Sequence, residues 1–322
     1  IYLHAQAHDL NGWVLNASGR VEVLVQGDPQ RLEGFVSTLL ESAPPLSRPF
    51  IDSVAEAETI ETDEFLILES RATDDADIHL PADLFTCDEC LVELNDPQNH
   101  RYRYPFINCT QCGPRYTLIE ALPYDRPNTS MSEFPLCATC EAEYTDPANR
   151  RYHAEPVACA KCGPSLTYCE TGREPLVGSE PALQAALDAI RAGKVLAVKG
   201  IGGYHLVCDA RNDTAVKHLR THKPRPHKPL AVMFPAPAGN ALAAVQEYLE
   251  PDEVEADLLC SPARPIVLVG KKAGTDHSPG IAPGLNEVGA MLPYSPLHHL
   301  LLNGYGAPLV ATSANISGEP VL

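Results

Sequence analysis

The chain has 322 residues, 44% of them hydrophobic, enough for two or three domains with cores of their own. Its formal net charge of −18 argues against a grip on nucleic-acid backbone. It contains no uncharged apolar run long enough to span a membrane as a helix, and its start lacks the pattern of a signal peptide.

Residues 1–70 read as a small α/β unit. An apolar helix fragment runs to about Leu10, GWVLNAS gives a strand, Ser18-Gly19 a turn, and VEVLVQGD the paired strand. PQRLEGFVSTLLESA starts a helix at proline, and FLILES closes as a strand. The opening IYLHAQAHDL looks like an element cut at its start, and both ends of the chain read as truncations. Residues 71–82, inside an acid-rich stretch, read as an exposed linker.

Residues 83–172 carry a duplication with an offset of fifty residues, in which DPQNHRY…INCTQCGP is echoed by DPANRRY…VACAKCGP. Eight of the eleven cysteines form four C-x-x-C pairs: Cys87/Cys90, Cys109/Cys112, Cys137/Cys140 and Cys159/Cys162. Two pairs separated by eighteen residues, then the same again, predict two structural zinc ions, each held within one repeat. Gly113 and Gly163, just after two of these pairs, are expected to take positive φ. The region holds thirteen acidic residues against seven basic, so a scaffold or docking role fits better than nucleic-acid binding. Unexported thiols of this kind place the chain in the cytoplasm.

Residues 175–322 alternate helices and apolar strands, an α/β pattern: PALQAALDAIRAG, KVLAVKG, TAVKHLRTH, PLAVMF, ARPIVLVG, SPLHHLLL and APLVATS. Three loops carry phosphate-friendly chemistry. Lys199-Gly200-Ile201-Gly202-Gly203 follows a strand, and its glycines let amides approach an anion; a plain tight turn is the other reading. Lys217, Arg220, Lys223, Arg225 and Lys228 form a basic island braced by prolines, whose other reading is a solvated helix face. Thr312, Ser313 and Asn315 follow the last strand, where they suit a ligand or a helix cap.

KGIGGYHL, the K-x-R-P-x-x-K-P-L-A-V-M stretch and T-S-A-N-x-S-G together resemble the YrdC/TsaC family of carbamoyl-adenylate-forming domains. With the duplicated cysteine units and RYRYPFINCTQCGPRYT before them, the whole chain resembles HypF-type carbamoyltransferases of [NiFe] hydrogenase maturation. The resemblance implies an α/β multidomain fold: a truncated acylphosphatase-like sandwich (1–70), tandem zinc fingers (83–172) and a YrdC-like domain (175–322). Asn16 falls on the acylphosphatase catalytic asparagine, while that family's phosphate loop and arginine lie before Ile1, so this domain is expected to be inactive.

The resemblance further implies that carbamoyl phosphate yields carbamate, which attacks ATP to give carbamoyl adenylate and pyrophosphate. The carbamoyl group then passes to the C-terminal cysteine of HypE. Lys199, Lys223 and Arg225 would face phosphates or carbamate. Gly202, Gly203, Lys228, Thr312, Ser313 and Asn315 would hold the nucleotide, with magnesium. Two rivals stand beside it: a threonylcarbamoyl-adenylate synthase acting in tRNA modification, and a zinc-stabilised scaffold with a vestigial site.

Overall fold

The computed structural model describes residues 1–17, 20–43, 47, 49–69, 71, 81–223 and 228–315. The chain forms two compact units, residues 1–81 with 142–153, and residues 82–141 with 154–322.

The first unit opens with α1 (Tyr2–Ala7) and the strands β1 (Asn11–Ala17) and β2 (Arg20–Gln26), antiparallel from Asn11↔Gln26 to Ala17↔Arg20. Next comes α2 (Pro29–Thr38), where Pro29 sits in the first turn and the Asp28 carboxylate accepts from the Gln30 amide, so its start is doubly specified. The short strand β3 (Phe65–Ile67) joins β1 in parallel, giving the order β2-β1-β3. Ala5, Leu10, Phe35 and Phe65 fill the space between helices and sheet. The Ser18-Gly19 turn lies outside the described residues.

In chain order the next elements are α3 (Asp88–Asn95), α4 (Ala138–Thr145), and a small hairpin of β4 (Thr167–Tyr168) and β5 (Leu176–Val177). After them come α5 (Ser179–Arg191), β6 (Leu196–Gly200), β7 (Gly203–Asp209) and α6 (Asp213–His222). The remaining elements are β8 (Val232–Met233), α7 (Ala243–Tyr248), α8 (Glu253–Cys260), β9 (Val267–Gly270), β10 (Glu287–Met291), α9 (Pro296–Tyr305) and β11 (Leu309–Ser313). The large sheet has the order β6-β7-β11-β8-β10-β9, with β8 and β10 its one parallel pair among the described strands.

Alternation along the strands divides the side chains between two cores. Val198, Val207, Met233, Met291, Leu309 and Ala311 pack with α5 and α9. Cys208, Val232, Val288, Ala290 and Val310 pack with α6, α7 and α8. The first of these cores is continuous with the cysteine repeats, taking in Cys90, Leu94, Tyr104, Ile107 and Cys112.

The sequence reading passed over β7, β10, α7 and α8. Glu287–Met291 is a buried strand whose apolar run is too short to be distinctive, whereas α8 carries a full capping box between Asp252 and Glu255.

Candidate metal centres and nucleotide site

The eight cysteines gather as their spacing predicts. In each repeat the four ligand atoms lie within 4.8 Å of one another. Cys87 Sγ is 3.7 Å from Cys109, Cys109 is 3.7 Å from Cys112, and Cys112 is 3.5 Å from Cys90. In the second cluster Cys137–Cys159 is 3.8 Å and Cys159–Cys162 is 3.7 Å. A disulfide needs sulfurs about 2.05 Å apart. A tetrahedron with Zn–S of about 2.3 Å has sulfur edges of about 3.8 Å, so these spacings are those of zinc ligands.

Protonation points the same way: hydrogen bonds to Cys109 push up the Cys90 and Cys112 thiols, while its bond to Cys112 pushes Cys109 down. Crowded thiols divide their protons unevenly, and a dication lets all four ionise together. When bound, zinc supplies a cross-link and charge balance, and the four thiolates leave no open position.

Gly113 has φ +92° as expected. Gly163 does not adopt a positive φ, correcting the sequence expectation. A Cβ there would lie 2.1 Å from Tyr104 Oη and 2.4 Å from Ala158 Cβ, so the position needs glycine for space.

The repeats interlock rather than stand side by side. Arg101, fully buried, donates from Nε to Ala158 O at 2.8 Å and from Nη2 to Cys140 Sγ at 3.2 Å. Asn108 Nδ2 donates to Pro156 O, and Arg126 donates to the carbonyls of Glu155, Val157 and Phe134.

In the large domain, Gly200 pairs with Gly203, so the glycine loop is the tight turn of the β6–β7 hairpin; Gly202 has φ +78° and Gly203 φ +152°. Cross-strand partners share a face. Lys199 opposite Tyr204, and Thr312 opposite Leu206, therefore point to the α6 face, while His205 opposite Ser313 points to the α9 face. Lys199 is exposed and Thr312 buried.

Lys223, just past α6, is 8% exposed, and its Nζ donates to Ser313 O and, at 3.5 Å, to Asn315 Oδ1. Ser313 Oγ donates to Asn315 Oδ1 at 2.6 Å. Three of the predicted residues thus meet at the end of β11, beside the hairpin: Ala314 N bonds Tyr204 O. Arg225 lies outside the described residues.

The basic island is not uniform. Lys217 pairs with Asp213, and Arg220 donates to Gly280, Ile281 and Lys228 carbonyls, leaving Lys228 as an exposed side chain. Asn16 is exposed on β1, opposite Val21.

The first cysteine repeat also touches this site. Thr86 donates from N (3.0 Å) and Oγ1 (3.2 Å) to Tyr294 O, and a Cβ added at Gly202 would lie 3.8 Å from Thr117 Cγ2. Thr86, Tyr294, His298 and Arg101 were not singled out from the sequence. The doubled histidine in an apolar helix and the repeated arginine were the available signals. A separate cleft of about 380 Å³ between the β4–β5 hairpin and α5 is lined by paired charges such as Lys194–Glu170 and holds none of the predicted residues.

Comparison with known proteins follows the same divisions. Residues 1–67 match the acylphosphatase family, residues 86–119 and 136–169 the HypF finger, and residues 188–322 the YrdC-type family described as telomere recombination. A carbamoyltransferase HypF of Synechocystis sp. is 47% identical over 100% of the chain, which covers 41% of that relative.

The chain is similar to HypF proteins along its whole length.

A crystal structure of full-length HypF in a phosphate- and nucleotide-bound form superposes with TM-score 0.90 at 42% identity, over 99% of this chain and 41% of that one. The chain thus spans about two fifths of the length of the HypF proteins it matches. A threonylcarbamoyl-AMP synthase of Vibrio cholerae is 30% identical over 43% of the chain and 73% of its own length.

Proposed function

We propose that the chain carries the adenylating part of a HypF carbamoyltransferase, converting carbamate and ATP to carbamoyl adenylate and pyrophosphate. The observation that carries this reading is the Lys223–Ser313–Asn315 convergence at the end of β11, beside a glycine hairpin. A carbamate oxygen attacks the α-phosphorus, the bond to the β-phosphate oxygen breaks, and pyrophosphate leaves with the electron pair. Charge grows on transferring and departing phosphate oxygens, and a fixed ammonium stabilises it without reorganising. Lys223, already desolvated, supplies that cation, and Arg225, Lys199 and Lys228 complete the phosphate side. Gly202 and Gly203 let the backbone approach, while Thr312, Ser313 and Asn315 orient the nucleotide, taken as ATP with magnesium.

On this reading residues 1–70, 83–172 and 175–322 are the three domains of such an enzyme's front part. Asn16 belongs to a site handling carbamoyl phosphate, and the product goes to the C-terminal cysteine of HypE in the cytoplasm. The relative from Vibrio cholerae favours a second reading, a threonylcarbamoyl-AMP synthase. The two acceptors separate them: pyrophosphate release with ATP and fresh carbamate, lost in Lys223→Ala, supports the carbamoyl reading. Release that requires threonine and bicarbonate overturns it. Failure of the chain to bind ATP favours a scaffold.

A further inference from the structure

Beneath the glycine hairpin, on the sheet face opposite α6, lies a polar cluster to which the adenylation chemistry above gives no role. His205 extends from β7 on the same face as Ser313, its cross-strand partner. Its Nε2 is 3.4 Å from Tyr294 Oη, and its ring lies 5.5 Å from that of His298, which in turn meets the Tyr294 ring at 4.6 Å. His298 is 2% exposed, yet neither of its nitrogens has a hydrogen-bond partner among the described residues, and nor does His205 Nδ1.

An unpartnered buried polar atom costs about 1–3 kcal/mol, and α9 could have carried leucine at position 298, as it does at the three positions from 300 to 302. A fold retains such a cost where the group has work in the reaction. Both imidazoles are neutral, because burial pushes His298 down to about 3 and lowers His205. A neutral imidazole offers one N–H donor and one lone-pair acceptor, and a phenol offers both. That set matches a small planar molecule with an amino donor and carboxylate acceptors.

We propose that His205, Tyr294 and His298 form the subsite for the one-carbon acceptor, carbamate, reached from the Ser313 end of β11. The proposal rests on the adenylation reading and names the substrate side of that site. Tyr294 is aimed by its neighbours: Thr86, directly before the first metal ligand, fixes its carbonyl, and Ser295 caps α9 on the His298 amide.

The test uses the full chain with His298→Leu and Tyr294→Phe, measuring ATP binding by calorimetry, pyrophosphate release against carbamate concentration, and thermal stability. The subsite predicts a carbamate KM raised at least tenfold in both variants, ATP affinity within twofold of the parent, and a His298→Leu protein at least as stable as the parent. Carbamate KM within twofold in variants that still bind ATP overturns the subsite alone. A parent that binds ATP but releases no pyrophosphate with carbamate overturns the adenylation reading and the subsite with it.

Discussion

Arg101 of the first repeat donates its guanidinium to the sulfur of Cys140 in the second. A centre of four thiolates and one dication carries two net negative charges, and a buried cation beside it offsets part of that charge. Tyr104 stands in the same environment: burial, then the nearby sulfurs of Cys162, Cys159 and Cys140, hold its phenol protonated. In Arg101→Met, one of two zinc equivalents should leave at least tenfold faster to a chromogenic chelator, the other at the parental rate. Arg101→Lys should recover part of the difference, and equal acceleration of both would mean general loosening.

Arg126 makes a comparable demand on the segment between the repeats. Its backbone N–H donates to the buried Glu155 carboxylate, and its guanidinium satisfies three carbonyls. Arg126→Met should cost about 3–5 kcal/mol, since buried acceptors lose their donor. Urea denaturation of the zinc-loaded chain measures it.

His298 and His299 set an acid limit. Burial pushes His298 down to about 3 and His299 down to about 4, so the unfolded chain takes up protons at these positions before the folded one. Their contribution is complete above about pH 6.5 and is lost as pH falls from there toward 4. Stability should drop by about 1.4 kcal/mol per pH unit for each histidine in that window. In His298→Leu the slope should fall by one histidine's share, as read from denaturation midpoints between pH 7 and 5.

Lys223→Met should weaken ATP binding by about one to two orders of magnitude, the effect of losing a desolvated phosphate cation. It should also loosen the end of β11, because Ser313 O and Asn315 each lose a donor. Faster amide exchange at residues 311–315, with β6 unchanged, is the accompanying signature.

Removing zinc should reach the proposed adenylation site as well, since Thr86 precedes Cys87 and holds Tyr294. Chelation is expected to lower pyrophosphate release before the β6–β11 sheet unfolds, which tryptophan-independent probes such as amide exchange can separate.

Much of this was written locally. C-x-x-C spacing picked out both four-cysteine clusters, and helix α5 could be read from its apolar periodicity and from Gly193 at its end, which takes φ +74°. Lys223, Ser313 and Asn315 were visible as residue types suited to an anion, but their meeting depends on β11 pairing with β7 across about a hundred residues of sequence. Arg101 looked like one member of a repeat; its burial against the other repeat has no local signature. The basic island read as one patch, although Lys217 and Arg220 are tied to neighbouring groups while Lys223 faces the strand end. His298 hid within a leucine-rich helix because periodicity records which face is buried, not which buried atoms lack a partner.

The bond from Arg101 to Cys140 makes the pair of fingers an indivisible number. Deleting the first copy strips the second centre of its counter-charge, and splicing a third copy between them moves Cys140 beyond the reach of one side chain. Most tandem arrays lengthen and shorten because each unit meets only its neighbour through the same generic surface. Here an arginine of one copy reaches a cysteine of the other, so a specific side chain rather than a generic surface ties them together.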